Sequence, residues 1–248
     1  MQMATLLFRK FYISIQDLNR LKKTLSELEH LKKLVTKIGK GMYKKHFSAP
    51  NDGNISFRYN DRIFISKSAK PKNQLKRSDL VEVDLEGNVL SEGKASTELN
   101  LHLRVYQQRP DVMGVVHAHP PYATAFAVSH QPLELNTMSE IVSTLGLIPL
   151  AEYATPSTDE LPDSIMPWVK QCNAILLANH GAITYDSSLE QAWYNMERLE
   201  HYAQISFLSR QLGGEREIPD NQVDKLIEIR STVYGIKSPQ LVKKKNEK

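Results

Sequence analysis

The sequence predicts an α/β domain, on three observations. Stretches in which β-branched and aromatic residues alternate with polar ones are interleaved with stretches whose apolar residues recur every three or four positions, the pattern of strands and helices that share one core. The 248 residues suffice for one large core, so a single domain over 1–248 is expected, with residues 1–25 and 239–248 peripheral to it. Two apolar, strand-like runs end in histidines: Val115-Val116-His117-Ala118-His119-Pro120-Pro121 and Ala174-Ile175-Leu176-Leu177-Ala178-Asn179-His180-Gly181.

Taken in order, Leu18, Leu21, Leu25, Leu28, Leu31, Leu34, Val35 and Ile38 recur at helical steps. They predict an amphipathic helix from Ile15 to about Lys45 with a lysine-rich outer face, its end loosened by Gly39 and Gly41. Pro50, Asn51 and Asp52 mark a loop. Ile55 alternating with Phe57, and Ile63 with Ile65, predict a hairpin turning at Asp61-Arg62. A short helical turn at Ser78-Asp79-Leu80 precedes an alternating run, Val81 to Leu85, with a second hairpin signal at Glu86-Gly87-Asn88.

Leu99, Leu103 and Tyr106 lie on one face of a helix that ends before Pro110. Ser96 or Thr97 would cap it, and Glu98 would complement its dipole. After the first histidine strand, helices are expected at Tyr122 to Val128, Met138 to Leu145 and Asp163 to Lys170, with a short strand at Ile148 to Tyr153. After the second, a long helix from Leu189 to about Leu212 closes at Gly213-Gly214, and Asp224 to Val233 forms a last helix.

Composition excludes several classes. No apolar run reaches the 18 residues of a membrane span. The single Cys172 rules out an internal disulfide and suits a reducing cytoplasm. Met1 to Ser14 has no long apolar core and no small-residue cleavage site, and does not read as a secretory signal. The formal charge of +4 is concentrated near the two ends, including Lys243-Lys244-Lys245. No basic stripe interleaved with aromatics is present, so a nucleic-acid partner is not expected, whereas a small anionic substrate is.

The chemistry lies in the histidine runs. Residues i and i+2 of a strand point to the same side, so His117 and His119 can chelate together. Such a pair alone is weak evidence for a metal and is more often packing. With His180 at the end of a second strand, three imidazoles could fill three positions of a tetrahedral Zn²⁺ and leave the fourth open, as catalytic zinc sites do. Gly53 and Asn54, at the entrance to the first hairpin, and Ser96-Thr97-Glu98, at a helix start, could present amides and hydroxyls to an anionic ligand.

Gly53-Asn54-Ile55-Ser56, Ser96-Thr97-Glu98, His117-Ala118-His119-Pro120 and Asn179-His180-Gly181, in this order and spacing, resemble the class II aldolase/adducin family, and most of all its L-fuculose-1-phosphate aldolase members. The resemblance runs from about Leu31 to Tyr234. It implies a three-layer α/β/α sandwich around a mainly antiparallel sheet, a homotetramer, and a zinc held by His117, His119 and His180. It further implies Glu98 as catalytic acid/base and a substrate phosphate held at Gly53, Asn54, Ser68, Ser96 and Thr97. The implied reaction cleaves a phosphorylated ketose to dihydroxyacetone phosphate and an aldehyde through an enediolate. A ketose-phosphate epimerase or dehydratase on the same site, and a silent adducin-like assembly module, are the alternatives.

Two departures from the family pattern stand out. Ser68-Ala69 replaces a Thr-Gly pair in the phosphate loop, where alanine adopts positive φ at greater cost and Lys67 or Lys70 could compensate. No tyrosine stands within Leu135-Asn136-Thr137-Met138, where the fuculose enzymes carry a proton donor. Tyr234 is a candidate to close over the site.

Overall fold

The computed structural model describes residues 15–240, and the expectations for residues 1–14 and for the lysines beyond 240 lie outside them. A seven-stranded sheet runs through the centre in the order β3-β2-β1-β4-β7-β6-β5. Its strands are β1 (Asn54–Tyr59), β2 (Arg62–Ser66), β3 (Leu80–Val83), β4 (Gly114–Ala118), β5 (Leu150–Ala151), β6 (Ala174–Leu177) and β7 (Gly181–Asp186). Every pairing is antiparallel except β5 with β6. The helices are α1 (Ile15–Lys44), α2 (Leu99–Gln108), α3 (Pro121–Val128), α4 (Ser139–Val142), α5 (Glu160–Ser164), α6 (Leu189–Gln211) and α7 (Asp220–Thr232).

Alternation along the strands divides the core into two layers. Ile55, Phe57, Val116 and Ala118 face α1, α3 and α6, where Val35, Ile38, Met42, Phe126, Met196 and Leu199 are buried. Ile63, Ile65, Val115 and Ile183 face α2 and the segment from Leu161 to Cys172. The three-layer sandwich and mainly antiparallel sheet expected from the sequence are therefore present.

Several elements depart from expectation. Helix α1 continues unbroken through Gly39 and Gly41, because these glycines let it approach its neighbours. A Cβ on Gly39 would stand 2.5 Å from the carbonyl oxygen of Lys72, and one on Gly41 3.1 Å from the Trp193 ring. The first hairpin turns one residue early, at Asn60-Asp61, with Asn60 at φ 53°. Glu98 itself is the N-cap of α2, without a side-chain cap, and Ser96 Oγ accepts from the Glu98 N–H. Helix α4 is one turn long, α5 begins three residues before the expected Asp163 and ends at Ser164, and α7 begins four residues early. Strand β7 was not predicted at all.

Candidate functional site

Sheet register assembles the site. Asn54 on β1 lies opposite His117 on β4, and on the other side of β4 Ala118 pairs with Ala182 of β7. The β6–β7 turn, with Asn179 at φ 56°, delivers His180 to the same end of the sheet. His117, His119 and His180 consequently converge, each offering one ligand atom within 4.8 Å of the others. His119 lies just past the end of β4, where its N–H donates to the carbonyl of Phe47.

This donor set fits a metal ion. His117 Nδ1 donates to the Ala182 carbonyl at 2.9 Å, which leaves the Nε2 lone pair facing inward, as ligating histidines are commonly held by a bond from their other nitrogen. Its Nε2 lies 3.2 Å from Nε2 of His119, close to the roughly 3.3 Å edge of a tetrahedron built on Zn–N bonds of about 2.0–2.1 Å. His180 Nδ1 is buried without a hydrogen-bond partner. Burial lowers His117 to about 4 and His119 to about 3, favouring the neutral imidazoles that ligate.

Glu98 faces this cluster. Its Oε2 lies 3.3 Å from His117 Nε2 and its Oε1 3.2 Å from His180 Nε2, while Asn54 Nδ2 donates to Oε2 at 2.6 Å. Burial opposes its ionisation, but His117, His180 and the Asn54 amide outweigh burial and hold the carboxyl well below the usual carboxylate range.

A cleft of about 180 Å³ opens beside the histidines. Gly53, Asn54, Ser68, Ser96, Thr97, Glu98, His119 and His180 all line it, so every expected phosphate position borders the same space. Ala69 adopts φ 54°, so the loop keeps the left-handed conformation that glycine favours despite carrying a side chain. Of the two lysines named as compensating, Lys70 is turned to Asp79 at 3.2 Å, and Lys67 lines the cleft with Asp79 4.0 Å away.

Lys72, which the sequence reading overlooked, also lines the cleft. It is 1% exposed and donates to the carbonyls of Asn51 and Lys70. Burial lowers it to about 8, against the attraction of Asp52 and Glu98. His102 was overlooked too, and lies fully buried behind Asn54. Tyr234 instead borders a larger cleft of about 840 Å³, with Asp111, Asp186 and Arg198, which contains none of the three histidines. No helix among the described residues is long and apolar enough to cross a membrane.

The chain has known relatives in sequence and in fold. The family model described as the class II aldolase and adducin N-terminal domain matches residues 33–207. An L-fuculose phosphate aldolase of Methanococcus maripaludis is 31% identical over 172 residues, 69% of this chain and 93% of the relative. A 3-oxo-tetronate 4-phosphate decarboxylase of Haemophilus influenzae is 29% identical over 182 residues, 71% of this chain and 86% of the relative. A solved L-fuculose 1-phosphate aldolase matches with a TM-score of 0.75 at 30% identity, covering 80% of this chain and 95% of that one.

Proposed function

This chain belongs to the class II aldolase and adducin family as an enzyme of the lyase kind, and we propose that it is a zinc-dependent aldolase acting on a phosphorylated ketose of the fuculose 1-phosphate type. The products are dihydroxyacetone phosphate and an aldehyde. The observation that carries the reading is the clustering of three imidazoles and a largely buried carboxylate beside one cleft lined by hydroxyl-bearing loops.

His117, His119 and His180 would hold the ion. Bound there, it supplies Lewis-acid stabilisation to the charge left on the ketose fragment when the C–C bond breaks, worth several kcal/mol. Glu98 is the proton carrier. Ionised as it stands, it takes up the proton released from the hydroxyl at the breaking bond and returns it to the ketose fragment, and in condensation the two transfers run in reverse. Ser68, Ser96, Thr97 and Gly53 hold the phosphate end, and Asn54 adds its one uncommitted amide hydrogen. Binding energy gathered at that remote end orients the reacting carbons. The similarity to a decarboxylase fits this site, since decarboxylation beside a carbonyl also leaves a negative charge to be stabilised.

The test compares metal-loaded protein with Glu98→Gln on fuculose-, rhamnulose- and ribulose-type 1-phosphates. We expect aldehyde release by the wild type and a loss of about 10²–10⁴-fold in kcat for the variant, with metal retained. Epimerised substrate without free aldehyde would replace the aldolase with an epimerase. The same reading carries a single-domain, cytoplasmic homotetramer, whose assembly light scattering would measure.

A further inference from the structure

Helix α2 and strand β1 face each other along two stripes of polar residues. Glu98, His102 and Tyr106 recur every four positions along or beside α2, and Asn54, Ser56 and Arg58 alternate along β1. Four helical residues advance about 6 Å and two strand residues about 6.7 Å, so the stripes stay in step for three rungs. Asn54 Nδ2 donates to Glu98, and Asn54 Oδ1 meets His102 Nε2. His102 Nδ1 meets Ser56 Oγ at 2.6 Å, Ser56 Oγ meets Tyr106 OH at 2.9 Å, and Arg58 Nη2 donates to the Tyr106 carbonyl at 2.6 Å. His102, Ser56 and Tyr106 are all buried, and buried polar groups of this kind are held by hydrogen bonds.

The direction of every bond follows from its end. An ionised carboxylate only accepts, so the Asn54 amide must turn its NH₂ to Glu98 and its oxygen to His102. That oxygen only accepts, so His102 carries its proton on Nε2. The ring's Nδ1 is then a bare lone pair and accepts from Ser56, which in turn accepts from Tyr106. Burial, which lowers His102 to about 4, agrees with a neutral ring.

We propose that His102 is a positioning residue: held in the Nε2–H tautomer between Ser56 and Asn54, it locks the Asn54 amide so that Glu98 is aimed at the three histidines. The proposal deepens the reading of Glu98 as proton carrier and rests on it for its kinetic consequence only. Rotation of the Asn54 amide by a half-turn would set oxygen against oxygen at Glu98 and hydrogen against hydrogen at His102, so the chain admits one orientation.

Two readouts test the arrangement without any substrate. Nitrogen NMR of ring-labelled histidines, with the His102 signal assigned by its loss in His102→Gln, should show the Nε2–H tautomer at neutral pH. The Asn54 side-chain amide hydrogens should exchange at least about ten-fold faster in His102→Leu than in the wild type. An Nδ1–H or doubly protonated His102, or Asn54 exchange unchanged by His102→Leu, would overturn the proposal whatever the enzyme acts on. On a cleaved substrate, His102→Leu should lower kcat by about 10–100-fold at unchanged metal content, the usual scale for the partners that hold a reacting group from behind. His102→Gln, which keeps one donor and one acceptor, should recover most of that loss. A folded, metal-loaded His102→Leu with wild-type kcat would refute the kinetic part.

Discussion

Replacing Gly181 by alanine probes what holds the histidine cluster together. Gly181 opens β7 directly after His180, and its φ is not left-handed, so only space demands a glycine there. A Cβ would stand 2.5 Å from Cδ2 of His119 and 2.6 Å from the carbonyl oxygen of Ala118. Carbon contacts are most favourable at about 3.5–4.0 Å, so relief requires a shift of about 1 Å. The Ala118 carbonyl belongs to the β4–β7 ladder, whose register it cannot leave cheaply, whereas the His119 ring is a quarter exposed and gives way. Moving one of three ligands by that distance should weaken metal binding by about 10–100-fold, the scale on which disturbing a ligand's supporting shell acts, or about 1.4–2.7 kcal/mol. Titration of metal-free protein with Zn²⁺ against a chromophoric chelator measures it, with urea unfolding of the metal-free proteins as the control for folding. Wild-type affinity in a folded Gly181→Ala would refute the argument that the missing side chain seats His119.

Three further outcomes are expected. Ala69→Gly should stabilise the protein by about 0.5–1 kcal/mol, since the left-handed conformation costs an L-residue about 1–2 kcal/mol and glycine's extra unfolded-state freedom returns part of it. A higher urea midpoint at unchanged slope would show it. Lys72 is lowered to about 8 by burial against the attraction of Asp52 and Glu98, so between pH 8 and the ordinary 10.5 the unfolded chain holds a proton the folded chain has released. Its contribution to stability therefore rises across that window and is lost as pH falls through 8, and urea melts should show a flatter profile there for Lys72→Met than for the wild type. Glu200 accepts from the N–H groups of Tyr122 and Ala123 at the start of α3, so Glu200→Ala should cost about 2–4 kcal/mol by leaving two donors unpaired. Glu200→Gln, with one acceptor oxygen left, should cost about half of that in the same thermal or urea melts.

What could be read in advance depended on how local each signal was. The His117/His119 pair and the Ile55/Phe57 and Ile63/Ile65 alternation are written in neighbouring residues, and both emerged as expected. Strand β7 was missed because Gly181-Ala182-Ile183-Thr184-Tyr185 is buried along its length and shows no alternation of apolar and polar residues. Lys67, Lys70 and Lys72 look alike in a chain of letters, and only the 3₁₀ turn at Lys72–Gln74 separates the lysine buried in the cleft from the two that face Asp79. His102 carries no motif of its own. Its place depends on β1 lying against α2, a contact between residues 46 and 48 positions apart. The shared cleft of Gly53, Ser68 and Ser96 was likewise reachable only through the family resemblance, because nothing in their spacing announces a common space.

The central place of β4 has a mechanical consequence. On one side of it lie β1 to β3, from residues 54–83, and on the other β5 to β7, from residues 150–186. Asn54 reaches the cleft from the first group and His180 from the second, while His117 stands on β4 itself. An ion held by His117, His119 and His180 would pin the β6–β7 turn to β4, while β1 meets the same cleft through the Asn54–Glu98 hydrogen bond and supplies no ligand. Its binding free energy, about 2.7 kcal/mol at a hundredfold excess over Kd, would oppose the parting of β4 from β5 to β7 and leave β1 to β3 to open at their own rates. The three imidazoles would thus also act as a clasp, closed only when the second histidine run has found the first.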